Sequence, residues 1–165
     1  MSADAPLDRA AFEALYVRLE RPIYNVVHRR LWDAQESHEV VQEAFVQLWR
    51  MRSRVRTETV EPLVWRIALN VASKRVRTRR LWRWLSFDAD KDVRQVPEDL
   101  THRERALRDA VDALPDKLRD VVLLCELSGM SYADVAVTLS IPAGTVASRR
   151  HLAVERLRGI LTEDP

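Results

Sequence analysis

The sequence predicts an all-α protein of two small helical domains joined by a flexible linker. The chain has 165 residues but only three glycines and seven prolines, whereas an all-β protein of this length needs many more turn residues. Apolar residues recur along most of it at the three- and four-residue spacing of a helix face. Residues 86–100 lack that spacing, are charged and contain Pro97. They therefore predict a linker between domain 1–85 and domain 101–165.

The sequence of the first domain predicts three helical segments. An apolar stripe begins at Phe12 and continues past Pro22, which indicates a helical pair or a kinked helix. A second amphipathic helix follows and ends near Met51. Residues 52–61 have no apolar period and predict a loop, and Pro62 suits the first turn of a third helix, whose far end is rich in arginine.

The sequence of the second domain predicts a helix-turn-helix. A helix over residues 101–114 is broken at Pro115, resumes beyond it and closes at Gly129. Ser131 is the predicted N-cap of a short helix, and the turn 140–142 leads into a longer one. A short helix, a tight turn and a second helix with arginines near its start are typical of a helix-turn-helix.

Composition predicts a cytoplasmic protein that does not insert into a membrane. The longest apolar runs fall far short of the roughly 20 residues of a spanning helix, and the N-terminus lacks a basic stretch followed by an apolar one. Cys125 is the single cysteine. It cannot form an internal disulfide or a cysteine-based metal cluster, which favours a reducing compartment.

The sequence does not predict an enzyme. His38, Glu39 and Gln42 come within one residue of the helical zinc-protease signature, in which two histidines one turn apart hold the ion. Gln42 stands at the second histidine position, and an amide is a poor zinc ligand. The remaining histidines are scattered, and no glycine-rich phosphate loop is present. We therefore predict no catalysis, no metal site and no cofactor.

The distribution of charge favours a polyanionic partner. The formal net charge is only +2, but residues 66–87 contain seven basic residues and no acid. No acid within this stretch can form an i,i+4 pair with its arginines, and Trp82 and Trp84 alternate with them. We interpret these arginines as unpaired charges that phosphates neutralise, with aromatic rings available to stack on bases. A second basic cluster opens the last predicted helix.

Four segments together carry a resemblance to a known family. They cover residues 12–31, 39–50 and 65–80 in the first domain and 113–158 in the second. Their order and spacing resemble the small two-domain sigma factors of the extracytoplasmic-function class, which recruit bacterial RNA polymerase to promoters. The resemblance implies core RNA polymerase, promoter DNA and an anti-sigma factor as partners, the last of which would hold the chain at the inner face of the membrane.

The resemblance also assigns site residues. The first domain matches sigma region two, whose polymerase-binding helix corresponds to Glu39, Gln42, Glu43 and Trp49. Its minus-ten helix corresponds to Asn70, Lys74, Arg75, Arg77, Arg79 and Arg80. In this family the preceding loop, here residues 52–61, captures a flipped base of the non-template strand. The second domain matches region four, whose minus-thirty-five contacts correspond to Thr145, Ser148, Arg149 and His151.

The chain departs from the family pattern at several positions. The family usually has a pair of acids before the glutamine of the polymerase-binding helix, and this chain has His38 and Glu39 there. Lys74 stands where an aspartate is common. Ser140 replaces a usual glycine in the turn. Arg150 occupies a position that is normally apolar and Leu152 one that is normally basic, which leaves open a second recognition face that includes Arg150.

The residues by themselves also allow another class of function. A self-sufficient helix-turn-helix regulator would bind an operator as a dimer, but the sequence shows no heptad seam sustained over several turns. A purely structural helical adaptor leaves both arginine clusters without a role. The sequence therefore favours a transcription initiation factor that is a monomer when free of partners.

Overall fold

The computed structural model describes residues 7–85 and 100–162, without the side chain of Arg83, and these residues confirm the all-α prediction. They form seven α-helices, which are α1 (Arg9–Leu31), α2 (Ala34–Arg50), α3 (Val60–Leu85), α4 (His102–Ala113), α5 (Asp116–Leu127), α6 (Tyr132–Leu139) and α7 (Ala143–Thr162). The greater part of the predicted linker, residues 86–99, lies outside the described residues.

Helix α1 is a single helix that continues through Pro22, so the alternative of a helical pair is wrong. Its first turn is capped by Asp8, whose carboxylate accepts a hydrogen bond of 2.8 Å from the Ala11 amide. The helix ends at Trp32, which adopts a left-handed conformation with φ of 55°. A bulky side chain is rare in this conformation, and here the turn directs the indole into the core.

Helices α2 and α3 complete a three-helix unit with α1. The prediction that α2 ends near Met51 is confirmed, because Met51 is its C-cap. Helix α3 begins at Val60, two residues before Pro62, and residues 52–59 include two short 3₁₀ turns instead of an irregular loop. Trp65 is 1% exposed at the centre of this unit, where burial of a large apolar side chain contributes about 1.5–3 kcal/mol.

The second half contains the predicted helix-turn-helix. Ser131 caps α6 as predicted, in a reciprocal capping box with Asp134. Helix α6 ends at Ser140, the C-cap, whose left-handed conformation (φ 55°) explains why a glycine is common at this position. Gly129 also has a positive φ, of 75°, one residue beyond the cap of α5.

Arg119 ties α4 to α5. Its guanidinium is almost fully buried and donates hydrogen bonds to the carbonyls of Val111 (3.0 Å), Asp112 (2.6 Å) and Leu114 (2.7 Å). These carbonyls belong to the end of α4, which has no further turn to satisfy them. Burial lowers the pKa of the Arg119 guanidinium from its usual value. The residue thus acts as a structural cap for α4.

The two halves of the chain pack against each other. Helix α1 contacts α5, helix α3 contacts α6, and buried apolar residues of both halves form one continuous cluster. This contact decides which faces of α3 and α6 are open to partners.

Candidate nucleic-acid and protein interfaces

The polar face of α2 holds the residues predicted to bind polymerase. Glu39 and Glu43 are 45% and 43% exposed in their side chains, and Gln42 is exposed between them. Each glutamate has a local partner, because Gln35 donates to Glu39 at 3.3 Å and Gln47 to Glu43 at 3.1 Å. The opposite face of the helix is buried against α1 and α3. The geometry therefore presents an acidic surface on a rigid helix.

An aromatic groove adjoins this acidic surface. Trp49 packs on Phe12 with ring centroids 4.9 Å apart, and Arg52 lies over the indole at 4.2 Å. Together with Tyr16 and Phe45 these rings line a groove of 530 Å³ between α1 and α2. Trp49 is thus half-buried, with one face held by the fold and an edge at the surface.

The arginine-rich end of α3 is divided between two faces. Arg75 and Arg79 point towards α2, where Arg75 lies 3.3 Å from Glu39 and 3.2 Å from Glu43. Arg79 forms an ion pair with Glu36, which also lies 4.0 Å from Arg75. The prediction that this stretch has unpaired arginines is therefore wrong for these two residues. Their acids come from a neighbouring helix, and a search along α3 alone could not find them.

A second group of polar residues on α3 faces solvent. Asn70, Lys74, Arg77 and Arg80 are exposed. Within the described part of the chain, no ion pair involves Lys74, Arg77 or Arg80. Lys74 also lines a cleft of 600 Å³ between α2 and α3, with Trp82 on its wall. The ammonium can pair with a phosphate and the indole can stack on a base, whereas Glu36 and Glu43 add negative charge to the same cleft.

Residues 52–61, which the family resemblance implies would capture a flipped base, lie beside the second half. Val55 is buried and anchors the segment, while the side chains of Arg52 and Arg54 are exposed. A cleft of 510 Å³ separates its Glu58 from the start of α6. An open cleft therefore lies beside this segment, and polar and apolar side chains of both halves line it.

The helix-turn-helix is held against α3 by Arg66. This guanidinium donates to the carbonyls of Thr138 and Val137, both at 3.1 Å, and to the hydroxyl of Ser140 at 3.0 Å. Helix C-termini attract cations, because their last carbonyls lack partners within the helix. Arg66 lies one turn before Asn70, on the same side of α3. The second half thus covers part of the face that carries Asn70.

Helix α7 exposes only part of the predicted recognition set. Ser148 and His151 are exposed, whereas Thr145 and Arg149 are half-buried. The Ser148 hydroxyl donates back to the Thr145 carbonyl at 3.2 Å.

The alternative face of α7 contains an ion pair. Arg150 donates to Glu126 of α5 at 2.7 Å. Its guanidinium is therefore drawn towards α5, whereas Leu152 is 44% exposed. The contacts of Arg150 favour a recognition face that includes Ser148 and His151.

A buried ion pair joins the two halves. Arg30 of α1 is 1% exposed in its side chain and pairs with Asp120 of α5. It also donates to the Ser73 hydroxyl at 3.0 Å and lies 3.6 Å from Asp116. Burial raises the pKa of Asp120, and the Arg30 charge opposes that rise. Beside this pair, the buried Trp32 indole lies within 5.9 Å of the Arg108 guanidinium.

Burial shifts the pKa of one histidine, His28. His28 stacks on Tyr24 with centroids 5.5 Å apart and lies 3.5 Å from the Ser37 hydroxyl. Burial, together with the neighbouring charge of Arg29, lowers the pKa of His28. His28 is therefore a packing residue that favours its neutral form.

The described residues contain no group of three or more histidine, cysteine or carboxylate side chains placed to hold a metal ion. In the same ranges, 7–85 and 100–162, no helix is both long and apolar enough to cross a membrane. Cys125 is a free thiol, half-buried in α5, and burial raises its pKa.

Three features of these surfaces were missed in the sequence. Glu36 belongs to the acidic face, and its spacing from Glu39 and Glu43 along α2 is a signal that the sequence contains. The aromatic groove follows from Phe12 and Phe45 only once α1 and α2 are packed together. The Arg30 pair joins residues far apart in sequence and has no local signal.

Comparisons with known proteins cover most of the chain. Residues 15–92 match the family described as Sigma-70 region 2, and residues 104–157 match the family described as Sigma-70, region 4. The two matches follow each other in the order of the two halves.

Several curated proteins are similar to this chain over most of their length. The RNA polymerase sigma-H factor of Pseudomonas aeruginosa is 32% identical, with 91% of this chain and 86% of that protein aligned. The ECF RNA polymerase sigma-E factor of Escherichia coli is 31% identical over the same shares. The ECF RNA polymerase sigma factor SigE of Mycolicibacterium smegmatis is 28% identical, with 98% of this chain and 70% of that protein aligned.

Two solved structures have a similar fold. CnrH in complex with the cytosolic domain of CnrY has a TM-score of 0.75 at 21% identity, and 96% of this chain and 92% of that chain are covered. The sigma factor RpoE in complex with the anti-sigma factor NepR from Bartonella quintana has a TM-score of 0.69 at 19% identity, with 93% and 97% covered.

Proposed function

This chain belongs to the ECF RNA polymerase sigma factors, and we propose that it directs core RNA polymerase to promoters by binding minus-ten and minus-thirty-five elements. The family consists of transcription initiation factors. The observation that carries the proposal is the exposed acidic face of α2, which lies directly beside the basic surface of α3. The first surface suits a basic protein and the second suits a nucleic acid strand.

The acidic surface is the proposed polymerase site. Glu39, Gln42 and Glu43 occupy successive exposed positions of α2, and Trp49 adds an aromatic contact at the groove end. Half-exposed carboxylates increase the rate of encounter with a basic partner, while a partly buried aromatic residue contributes affinity. Both kinds of contact are present on one rigid helix.

The proposed promoter contacts use two different kinds of recognition. Asn70, Lys74, Arg77 and Arg80 lie on the exposed side of α3 and suit a melted single strand. Arg75 and Arg79 lie on the adjoining face of α3, towards α2, and complete the proposed strand contacts. Helix α7 would enter the major groove of the upstream duplex, where its exposed polar residues reach base edges. We assign Thr145, Ser148, Arg149 and His151 to that helix face.

The two sites belong to domains with separate tasks. We assign region two to residues 1–85 and region four to residues 101–165, with residues 86–100 as the linker. Tethering gives the second contact a high effective concentration once the first has formed. The proposed factor has no catalysis of its own, acts in the cytoplasm and is a monomer when free of partners.

An anti-sigma factor is the proposed inhibitor. The two structures of similar fold are complexes, one of CnrH with the cytosolic domain of CnrY and the other of RpoE with the anti-sigma factor NepR. A protein that covers the surfaces of α2 and α3 would block both polymerase and promoter. Such a partner would link this factor to an external signal.

Run-off transcription tests the proposal. Core bacterial RNA polymerase should initiate from a cognate promoter only when the chain is added. In a pull-down assay, Glu39→Lys/Glu43→Lys should abolish association with polymerase, while the loss of two exposed ion pairs to Arg75 should lower the free energy of unfolding by no more than about 2 kcal/mol. Asp109→Lys/Glu155→Lys reverses two exposed acids of α4 and α7 as the control. Tight, sequence-specific duplex binding without polymerase would contradict the proposal and favour an operator-binding regulator.

A further inference from the structure

The acids of α2 neutralise the arginines that the proposed function assigns to promoter DNA. Arg75 contacts Glu39 at 3.3 Å, Glu43 at 3.2 Å and Glu36 at 4.0 Å. Three carboxylates therefore lie around one guanidinium that is 35% exposed. Two of these acids, Glu39 and Glu43, are also the proposed polymerase contacts, so a single set of carboxylates belongs to both interfaces.

We propose that Glu39 and Glu43 restrain Arg75 in the free chain and release it when polymerase binds. This inference rests on the proposed function, because it names the regulation of the same two surfaces. A basic polymerase surface that pairs with both glutamates removes the two nearest partners of Arg75 and leaves only Glu36, at 4.0 Å. The freed guanidinium then pairs with a phosphate of the promoter strand, and strand binding is thereby coupled to polymerase binding.

The arrangement of the acids fits this exchange. Glu39 and Glu43 are about half exposed, so a second protein can reach their carboxylates without unfolding α2. Glu36 is only 18% exposed and pairs with Arg79, whose guanidinium also donates to the Leu31 carbonyl at 3.4 Å. Arg79 consequently stays attached to the fold, while the two nearest carboxylates of Arg75, those of Glu39 and Glu43, are exposed and Glu36 lies farther away at 4.0 Å. Exposed ion pairs are weak individually, so replacing them costs little.

The consequence is measurable as a salt dependence. Each phosphate that a protein neutralises on a single strand contributes about 0.7 to the slope of log affinity against log salt concentration. A restrained Arg75 adds little to that slope, and a released Arg75 adds a full contact. Arg77, exposed on another side of α3, is a matched cation that the acids of α2 do not hold.

The experiment measures binding of the full-length free chain to a fluorescein-labelled single-stranded 15-nucleotide DNA across a salt series. Glu39→Gln/Glu43→Gln should steepen the slope by about 0.7, and adding Arg75→Gln should remove that gain. Asp109→Asn/Glu155→Gln gives the same change in net charge as a control, because neither of these exposed carboxylates pairs with an arginine or lysine of the described residues. It should strengthen binding only through the general field, and Arg75→Gln should then have the same effect as in the wild type.

The test depends on whether the effects of Arg75→Gln and of Glu39→Gln/Glu43→Gln on strand binding add. If Arg75→Gln costs the same in the wild-type and the Glu39→Gln/Glu43→Gln backgrounds, the carboxylates do not restrain Arg75 and the inference is wrong. Circular dichroism checks folding, and single Glu39→Gln replaces the pair if the double variant does not fold. In the presence of core polymerase, the single variant Arg75→Gln should have a slope lower by about 0.7 than that of the wild type, as Arg77→Gln does. Failure of polymerase to bind the wild-type chain would instead contradict the proposed function.

Discussion

Replacing Arg30 by methionine should separate the two halves of the molecule. Arg30 lies on α1 and its main partner, Asp120, lies on α5, so the pair contributes to the packing of the halves and not to either half alone. The side chain is 1% exposed, and the substitution also removes a hydrogen bond of 3.0 Å to Ser73 and the charge 3.6 Å from Asp116. Asp120 would remain, largely buried, without its cation.

The expected magnitude follows from these contacts. Removing one partner of a buried ion pair costs about 3–5 kcal/mol, chiefly because the remaining charge has neither water nor a partner. Applied to the contact between the halves, this cost shifts the equilibrium towards the open form by about 10²- to 10⁴-fold. Arg18→Met is the control, because Arg18 pairs with Glu61 within the first half and is 58% exposed. Its cost should be below about 1 kcal/mol.

Small-angle X-ray scattering and urea unfolding check this prediction. The radius of gyration of Arg30→Met should increase, and its unfolding should become less cooperative as the halves separate. Arg30→Met/Asp120→Leu should restore the compact form, because an apolar pair removes the buried charge. An unchanged radius together with a loss of stability below about 1 kcal/mol would show that the pair does not hold the halves together.

Three further predictions concern individual side chains. Arg119→Met should destabilise the chain by about 3 kcal/mol or more in urea unfolding, because three carbonyls at the end of α4 lose their donor, and Arg119→Lys should recover only part of that loss. Alanine at Ser148 and Arg149 should cost about 1–3 kcal/mol in holoenzyme binding to the preferred upstream element. Equal losses on a scrambled element would place the recognition face elsewhere. His28 has a folded pKa below its unfolded value of about 6.5, so its stabilising contribution is complete above that pH and is lost as the pH falls through the folded pKa. Stability in urea unfolding should therefore fall more steeply on acidification from pH 7.5 in the wild type than in His28→Gln.

The sequence by itself determined the secondary structure and the helix-turn-helix. The cap at Ser131, the break at Pro115 and the turn at Ser140 are all local signals, because a capping side chain acts on amides only a few residues away. The period of the apolar residues also indicated the buried face of α3, where Val64, Ala68 and Val71 lie in the core. The start of α3 was predicted two residues late, because Val60 and Glu61 precede the apolar period that Pro62 introduces.

Only the tertiary structure decided which charges are paired. A helical period shows that Arg75 and Arg77 lie on different faces of α3, but it cannot show that α2 brings Glu39 and Glu43 to the first of them. Arg30 and Asp120 are 90 positions apart and meet only because α1 packs against α5. Ion pairs act over a few ångströms, so their partners depend on how the helices pack, and that packing is set by the whole apolar core.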